Sequence, residues 1–301
     1  MNDIIRVFSG RTFSTEDIEL IKWLARVYPT LSRYEFAGTV CESLNWTTTR
    51  GGAKYQQCLD FLGNLEAEGI VKPPAYNENH RKTKSNKIEK INFNETEVSG
   101  DLQNFEEIFL RIAQPGESLK RWKAYINQYH MLGYKTTFGS KIKYFVKSGE
   151  MELGCMQFSA SSWALEEREK WIGWNTTDRK SRLHLIVNNS RFLIFPWVKI
   201  KNLASKALSL AAKQIQKDWL HEYCYAPVLL ETFVDLEYFK GTGYKAANWI
   251  YLGKTKGRGR MDRNNKKALS KKAIFVYPLQ SDFRECLCGE KPYKEVDPDE
   301  C

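Results

Sequence analysis

Apolar and polar positions alternate along this chain in two distinct rhythms. Near the start, Ile18, Ile21, Leu24 and Ala25 recur at helical spacing behind Ser14-Thr15-Glu16-Asp17, whose hydroxyls and acids suit a helix start. Tyr28-Pro29 ends that helix. Ser32 opens a second one through Phe36, Ala37 and Val40 to Cys41, and Gly51-Gly52 breaks the chain again. A third helix is expected from Lys54 to Glu68, with Tyr55, Cys58, Leu59, Leu62 and Leu65 on one face and Gly69 behind it. Ile70-Val71 reads as a short extended exit. Three short helices with such an exit follow the order of a helix-turn-helix or winged-helix unit over residues 1–76. Residues 77–104 hold few large apolar side chains beyond Ile88, Ile91 and Phe93, a composition that builds no core and reads as a linker.

Residues 105–280 change rhythm. Helices are expected over 105–112 and 117–129. Two strand-like runs, 141–147 and 151–158, meet at Ser148-Gly149-Glu150 as a hairpin. A loop rich in tryptophan and charge spans 163–182. A long strand over 183–195 is interrupted by Asn188-Asn189, which suggests a bulge or a break. Asn202 suits the cap of a helix over 203–220. A strand at 227–235, a short helix within 241–250 and a last strand at 273–279 complete the domain. Mixed helices and strands place it in the α/β (α+β) class. The acidic, cysteine-containing stretch 281–301 reads as a flexible tail.

Composition sharpens this picture in two places. The 301 residues suffice for two domains, and 42% hydrophobic with 13% aromatic residues allow a core. The formal charge is +10. Residues 253–272 carry nine Lys and Arg against Asp262 alone, and residues 72–90 carry six against two acids. Such runs are either solvated loops or phosphate-facing patches, and a basic balance favours polyanionic partners. The seven cysteines are odd in number and scattered, so no disulfide framework is expected, and Cys286-Leu-Cys288 lacks a second ligand pair for zinc. No run approaches the ~20 apolar residues of a membrane span, and the first residues do not resemble a signal peptide. The expectation is a cytoplasmic protein with no membrane partner.

Several groupings could carry chemistry. Glu231 and Asp235 lie four apart in an apolar strand, so both point to one face. Paired carboxylates suit a divalent cation such as Mg²⁺ or Mn²⁺, or acid–base work; alternatively, Glu231 pairs with a core arginine and Asp235 caps the following turn. Asn188, Asn189, Ser190 and Arg191 interrupt an apolar strand, a costly break unless its groups are satisfied. Amides and Arg191 could fix a phosphate or polar substrate there. Gly241-Thr-Gly-Tyr244-Lys245 and Gly253-Lys254-Thr-Lys256-Gly-Arg258-Gly-Arg260 match neither common nucleotide-loop pattern. Tyr244, Lys245, Asn248, Lys254, Lys256, Arg258 and Arg260 can still meet a phosphate chain, with Trp249 and Tyr251 stacking bases. His130 follows a helix and is a candidate base. Arg179, near Trp171 and Trp174, could face the polar break. In the first unit Arg50 and Lys54, with Gln56 and Gln57, suit a DNA groove.

Five stretches together resemble the DruA family of the Druantia anti-phage system, also met in mobile-element settings. They are Tyr129-His130-Met-Leu-Gly133; Trp171-Ile-Gly-Trp174 with Arg179; NNSRFLIFPWVKIKNLAS from Asn188; PVLLETFVD from Pro227; and GTGYKAANWIYLGKTKGRGR from Gly241. The resemblance spans most of residues 125–279 and implies a role in DNA transactions, in defence or transposition, with a helicase-like partner encoded nearby. The element order over 141–279 also resembles the N-acetyltransferase-like (GNAT-like) sheet, although the loop before its central helix, PWVKIKNLAS, lacks the glycines that bind an acyl carrier. Three readings follow. One is a nuclease- or transposase-like enzyme cutting or joining strands, with Glu231 and Asp235 holding the metal and Asn189 and Arg191 the phosphate. The second is a GNAT-like enzyme modifying a base or amine. The third is a non-catalytic DNA-binding subunit that recruits partners.

Overall fold

Ile4–Phe8 (β1) and Arg11–Ser14 (β2) pair antiparallel at the head of the chain. The computed structural model describes residues 4–29, 31–47, 53–74, 88, 90–135, 140–162, 165–256 and 270–296. Three helices follow: Thr15–Val27 (α1), Arg33–Ser43 (α2) and Tyr55–Ala67 (α3). Ser14 and Ser32 each accept the backbone N–H three residues on, while Asp17 and Glu35 reach back to the cap residue. Phe13 stacks on Phe61, and Trp46 meets both rings edge-on. The extended element of this unit thus precedes the three helices, and Ile70-Val71 forms no strand.

Residues 90–104 are not the free linker their composition suggested. Phe93 stacks on Tyr125 at 3.7 Å between ring centroids. Val98–Gly100 (β3) pairs in parallel with residues 198–200. One aromatic anchor and a short ladder dock a segment that has no core of its own.

Seven strands build the main sheet: Ile108–Ile112 (β4), Lys141–Ser148 (β5), Met151–Ala160 (β6), Ile186–Ile194 (β7), Leu229–Asp235 (β9), Ile250–Lys254 (β10) and Lys272–Pro278 (β11), with Val198–Ile200 as β8 outside it. Their order is β10-β11-β9-β7-β6-β5-β4. Every neighbouring pair is antiparallel except β7 and β9. The helices are Glu117–Tyr129 (α4), Glu166–Ile172 (α5), Thr176–Arg182 (α6), Leu203–Tyr223 (α7), Thr242–Ala246 (α8) and Phe283–Leu287 (α9). The α/β class expected from the sequence is the class observed.

Four local expectations are corrected. Residues 108–112, read as helix, are a strand, because β5 offers them a full ladder of partners. Residues 163–182, read as loop, hold α5 and α6. Asn202 precedes α7 with φ +62 and makes no side-chain cap. Finally, 281–296 is not a free tail, since Phe283, Cys286 and Leu287 are buried and Tyr225 bridges to Glu295. Cys41, Cys58, Cys155, Cys286 and Cys288 are free thiols, while Cys224 is disulfide-bonded. No helix of the described residues is long and apolar enough to cross a membrane.

The helical unit and the sheet domain share one core. Tyr28 and Tyr225 hydroxyls lie 3.1 Å apart, and Trp23 packs on His184 at 4.1 Å. Lys141 Nζ reaches Glu35 Oε1 at 3.4 Å.

Candidate functional site

The sheet opens at its centre. β7 and β9 pair only through Ile186↔Leu229, Val187↔Leu230 and Asn188↔Glu231. Beyond Asn188, β7 stays with β6 and β9 stays with β11. The opening begins at the polar break. Gln157 faces Arg191 and Phe158 faces Asn189, so Ser190 is the extra residue of a β-bulge. Asn189 is buried and holds the bulge together. Its Nδ2 donates to the carbonyls of Gln157 at 3.3 Å and Arg191 at 3.2 Å. Its Oδ1 accepts from Tyr244 Oη at 2.7 Å, and its backbone oxygen accepts from Thr232 Oγ1 at 3.0 Å.

Tyr244 reaches the opening from α8, and the glycines before it explain how. Gly241 has φ +68, and a Cβ there would come within 2.9 Å of the Phe275 ring. Only glycine permits that approach, which lays the Tyr244 ring on Phe275 at 5.8 Å. The Gly-Thr-Gly-Tyr turn is thus built for close packing.

Asn188 and Glu231 face the other side of the sheet. Glu231 is fully buried and accepts from Arg168 Nη1 at 2.7 Å and from the Ser162 amide at 2.8 Å. Arg168 also donates to the Ser162 carbonyl at 3.0 Å and to Glu169 at 2.8 Å. Glu169 in turn accepts from Trp174 Nε1 at 3.0 Å and Arg179 at 3.4 Å. Arg179 therefore joins this network. Asp235 accepts from Ser270 Oγ at 2.6 Å and from the Glu237 amide at 3.2 Å. The Ser270 bond, followed by that amide, holds its pKa below the ordinary value. The two carboxylates thus take the core-arginine and turn-capping roles. Among the described residues, no group of three or more His, Cys, Asp or Glu side chains could hold a metal ion. Glu231 is buried and ion-paired with Arg168, so the donor set does not fit the expected Mg²⁺ or Mn²⁺.

His130 and Arg191 meet beside the bulge. Arg191 Nε donates to the Gly133 carbonyl at 3.2 Å and Nη1 to the Ser190 carbonyl at 2.7 Å, tying the Tyr-His-Met-Leu-Gly turn to β7. His130 Nδ1 accepts from the Leu132 amide at 3.2 Å. Burial first, then the Arg191 charge, pushes the His130 pKa down to about 4, so its ring is neutral at pH 7.

Sequence reasoning missed a further set. Directly opposed residues share a face, so Lys143, Gln157 and Arg191 form one row across β5, β6 and β7. Lys141, Ser159, Asn188 and Glu231 form the next. Lys143, Gln157, Ser159 and Glu231 are all buried. The signal was present in Lys141-Ile142-Lys143, where two lysines keep step with a face that a buried strand should make apolar.

Most of the remaining candidates among the described residues are at the surface. Lys245, Asn248, Lys254 and Lys256 are exposed, and Lys256 pairs with Glu166. Asn248 occupies a tight turn at φ +62. Lys54 heads α3, its amide bonded to the Trp46 carbonyl. Arg50, Arg258 and Arg260 lie outside the described residues. Trp249 is buried and cannot stack on a base, whereas Tyr251 is 48% exposed.

No curated protein matches the chain. Solved structures similar to it include an aminoglycoside acetyltransferase in complex with coenzyme A, at 12% identity over 59% of this chain and 98% of that one, with a TM-score of 0.38. An N-acetyltransferase from Staphylococcus aureus Mu50 is similar at 12% identity over 57% and 98%, with a TM-score of 0.37. A Bacillus subtilis acetyltransferase in complex with CoA is similar at 6% identity over 58% and 100%, with a TM-score of 0.36. Residues 64–268 match the family described as Druantia protein DruA.

Proposed function

The chain belongs to the DruA family, and from that premise we propose that it is a DNA-binding component of anti-phage defence. The observation that carries this reading is a run of exposed apolar residues and cations over residues 236–256, from the end of β9 to the edge strand β10. Of the eleven large hydrophobic side chains exposed among the described residues, five fall between residues 236 and 251: Leu236, Tyr238, Phe239, Ile250 and Tyr251. They lead directly into Lys254, Lys256 and the most basic stretch of the chain. Aromatic faces beside a cationic run suit a strand of nucleic acid, with bases stacked and phosphates neutralised. A helicase-like protein of the same defence system is the proposed partner.

Cutting or joining through a metal held by Glu231 and Asp235 is not favoured, because the metal would first have to displace Arg168 from a buried carboxylate. Binding is tested by fluorescence anisotropy with labelled single- and double-stranded DNA between 50 and 200 mM salt, values at which phosphate contacts give a steep dependence. Tyr251→Ala is expected to cost roughly 1–3 kcal/mol on single strands. A Lys254→Ala, Lys256→Ala variant is expected to lower the salt slope by about 1–2. Wild-type binding that ignores salt, or variants that match wild type, would remove the surface from the reading. The same samples with Mg²⁺ or with EDTA show whether any strand is cut.

A further inference from the structure

Lys143 lies in the middle of β5 and is only 9% exposed. Among the described residues it has neither a carboxylate nor a hydrogen-bond partner; its Nζ sits 5.7 Å from the centre of the Trp122 ring. A buried ammonium without a partner is costly. Its neighbours make the cost larger. Burial, then the charges of Lys141 and Lys123, disfavour its protonated form, and only Glu35 opposes them. Glu35 is shared already, since it accepts from Lys141 and from Ser32. Lys123 Nζ stands 5.6 Å from the Tyr134 ring, and Tyr134 meets Trp122 edge-on at 6.3 Å. Gln157, opposite Lys143, is bonded to Ser190 and carries no charge. Lys143 therefore feels two further ammonium groups and one carboxylate beside two aromatic rings, where α4, β5 and the start of α2 meet.

We propose that this site binds a terminal phosphate group, supplied either by the 5′ end of a nucleic-acid strand or by a free nucleotide. Lys143, Lys141 and Lys123 are its counter-charges, Tyr134 is its wall, and the fully buried Trp122 backs Lys143 from the core. A phosphate monoester carries close to two negative charges at neutral pH, the excess that three lysines leave over Glu35. The ligand would satisfy Lys143 in the folded protein, which explains why a lysine is kept at a position that packing alone would give to methionine or leucine.

The test uses the full chain and three probes: a 5′-phosphorylated oligonucleotide, the same strand with a 5′-hydroxyl, and dAMP. Wild type is expected to prefer the phosphorylated strand by about tenfold, the size of one charge-assisted hydrogen bond, or to bind dAMP without strand preference. The first outcome assigns the site to strand ends, and the second to a nucleotide. In Lys143→Met, which keeps the stem on Trp122, either effect is lost. Melting of that variant checks that it is folded, and Lys123→Gln provides a second, half-exposed position where a severalfold loss is expected. Equal binding of both strands together with no dAMP binding would overturn the assignment, as would a folded Lys143→Met that keeps the preference. The dAMP arm does not depend on the proposed DNA surface, so the two proposals fail separately.

Discussion

Glu231 shows how one residue type supports two opposite readings until its partner is known. A carboxylate in an apolar strand is either held for chemistry or held by an arginine, and Arg168 at 2.7 Å decides for the latter. Both side chains are fully buried. Removing one charge strands the other, which costs about 3–5 kcal/mol. Glu231→Gln is therefore expected to lose that much stability, read as a shift in the urea midpoint. Replacing both residues by methionine is expected to recover most of the loss, because the penalty lies in the uncompensated guanidinium. A Glu231→Gln loss below about 1 kcal/mol would mean that Glu169, bonded to the same guanidinium, suffices alone. Nothing in the sequence near Glu231 points to Arg168, which is sixty-three positions away.

At the level of elements, the bulge and the short helix α8 act as one device. Tyr244 donates its hydroxyl to Asn189 at the point where β7 and β9 part. Tyr244→Phe keeps the ring on Phe275 and removes only that donor. Asn189 Oδ1 then loses the donor it has among the described residues, at a cost of about 1–3 kcal/mol. Thermal or urea unfolding measures it, and a loss within 0.5 kcal/mol, the scale of an unremarkable surface change, would mean that the bond does not hold the opening. The bulge was legible beforehand, since Asn188-Asn189 sits between two apolar runs that a continuous strand would not interrupt. The capping boxes at Ser14 and Ser32 were legible for the same reason: they are local. What escaped was decided by distant partners. Residues 108–112 became a strand because β5 lies beside them. β10 has only five residues, most of them exposed, and carries no clear alternation. α5 and α6 are short and highly charged, so composition pointed to a loop. Lys143 was passed over because its burial depends on α4 and β6, which only the fold brings to it.

Across the whole molecule, the helical unit and the sheet domain are joined through aromatic contacts at His184, and this joint should respond to acid. His184 meets Trp23 of α1 at 4.1 Å, Tyr225 at 5.0 Å and Tyr293 at 5.3 Å, and its Nε2 has no hydrogen-bond partner among the described residues. Burial first, then the Arg182 charge, pushes its pKa from 6.5 down to about 3; a bond to the Ser181 backbone opposes this weakly. Above pH 6.5 the ring is neutral whether the chain is folded or not, and the full stability is present. As pH falls from 6.5 towards 3, the unfolded chain takes up a proton that the folded one refuses, so stability is lost by up to about 1.4 kcal/mol per pH unit. His130, whose folded pKa is about 4, adds a loss of the same sign over the upper part of that window. His184→Phe keeps a ring against Trp23 and removes the titration. Its melting temperature is expected to fall less than that of wild type between pH 7 and pH 4.5, while the two match at pH 7 within the packing difference of the two rings. Carboxylates that titrate in the same range are common to both proteins, so the difference between the two profiles isolates the histidine. Parallel profiles would mean that protonated His184 is accommodated, by a shift of the helical unit away from Tyr225 or by entry of water. The distance between the units, followed by a pair of fluorophores across α1 and α7, would then separate those two routes.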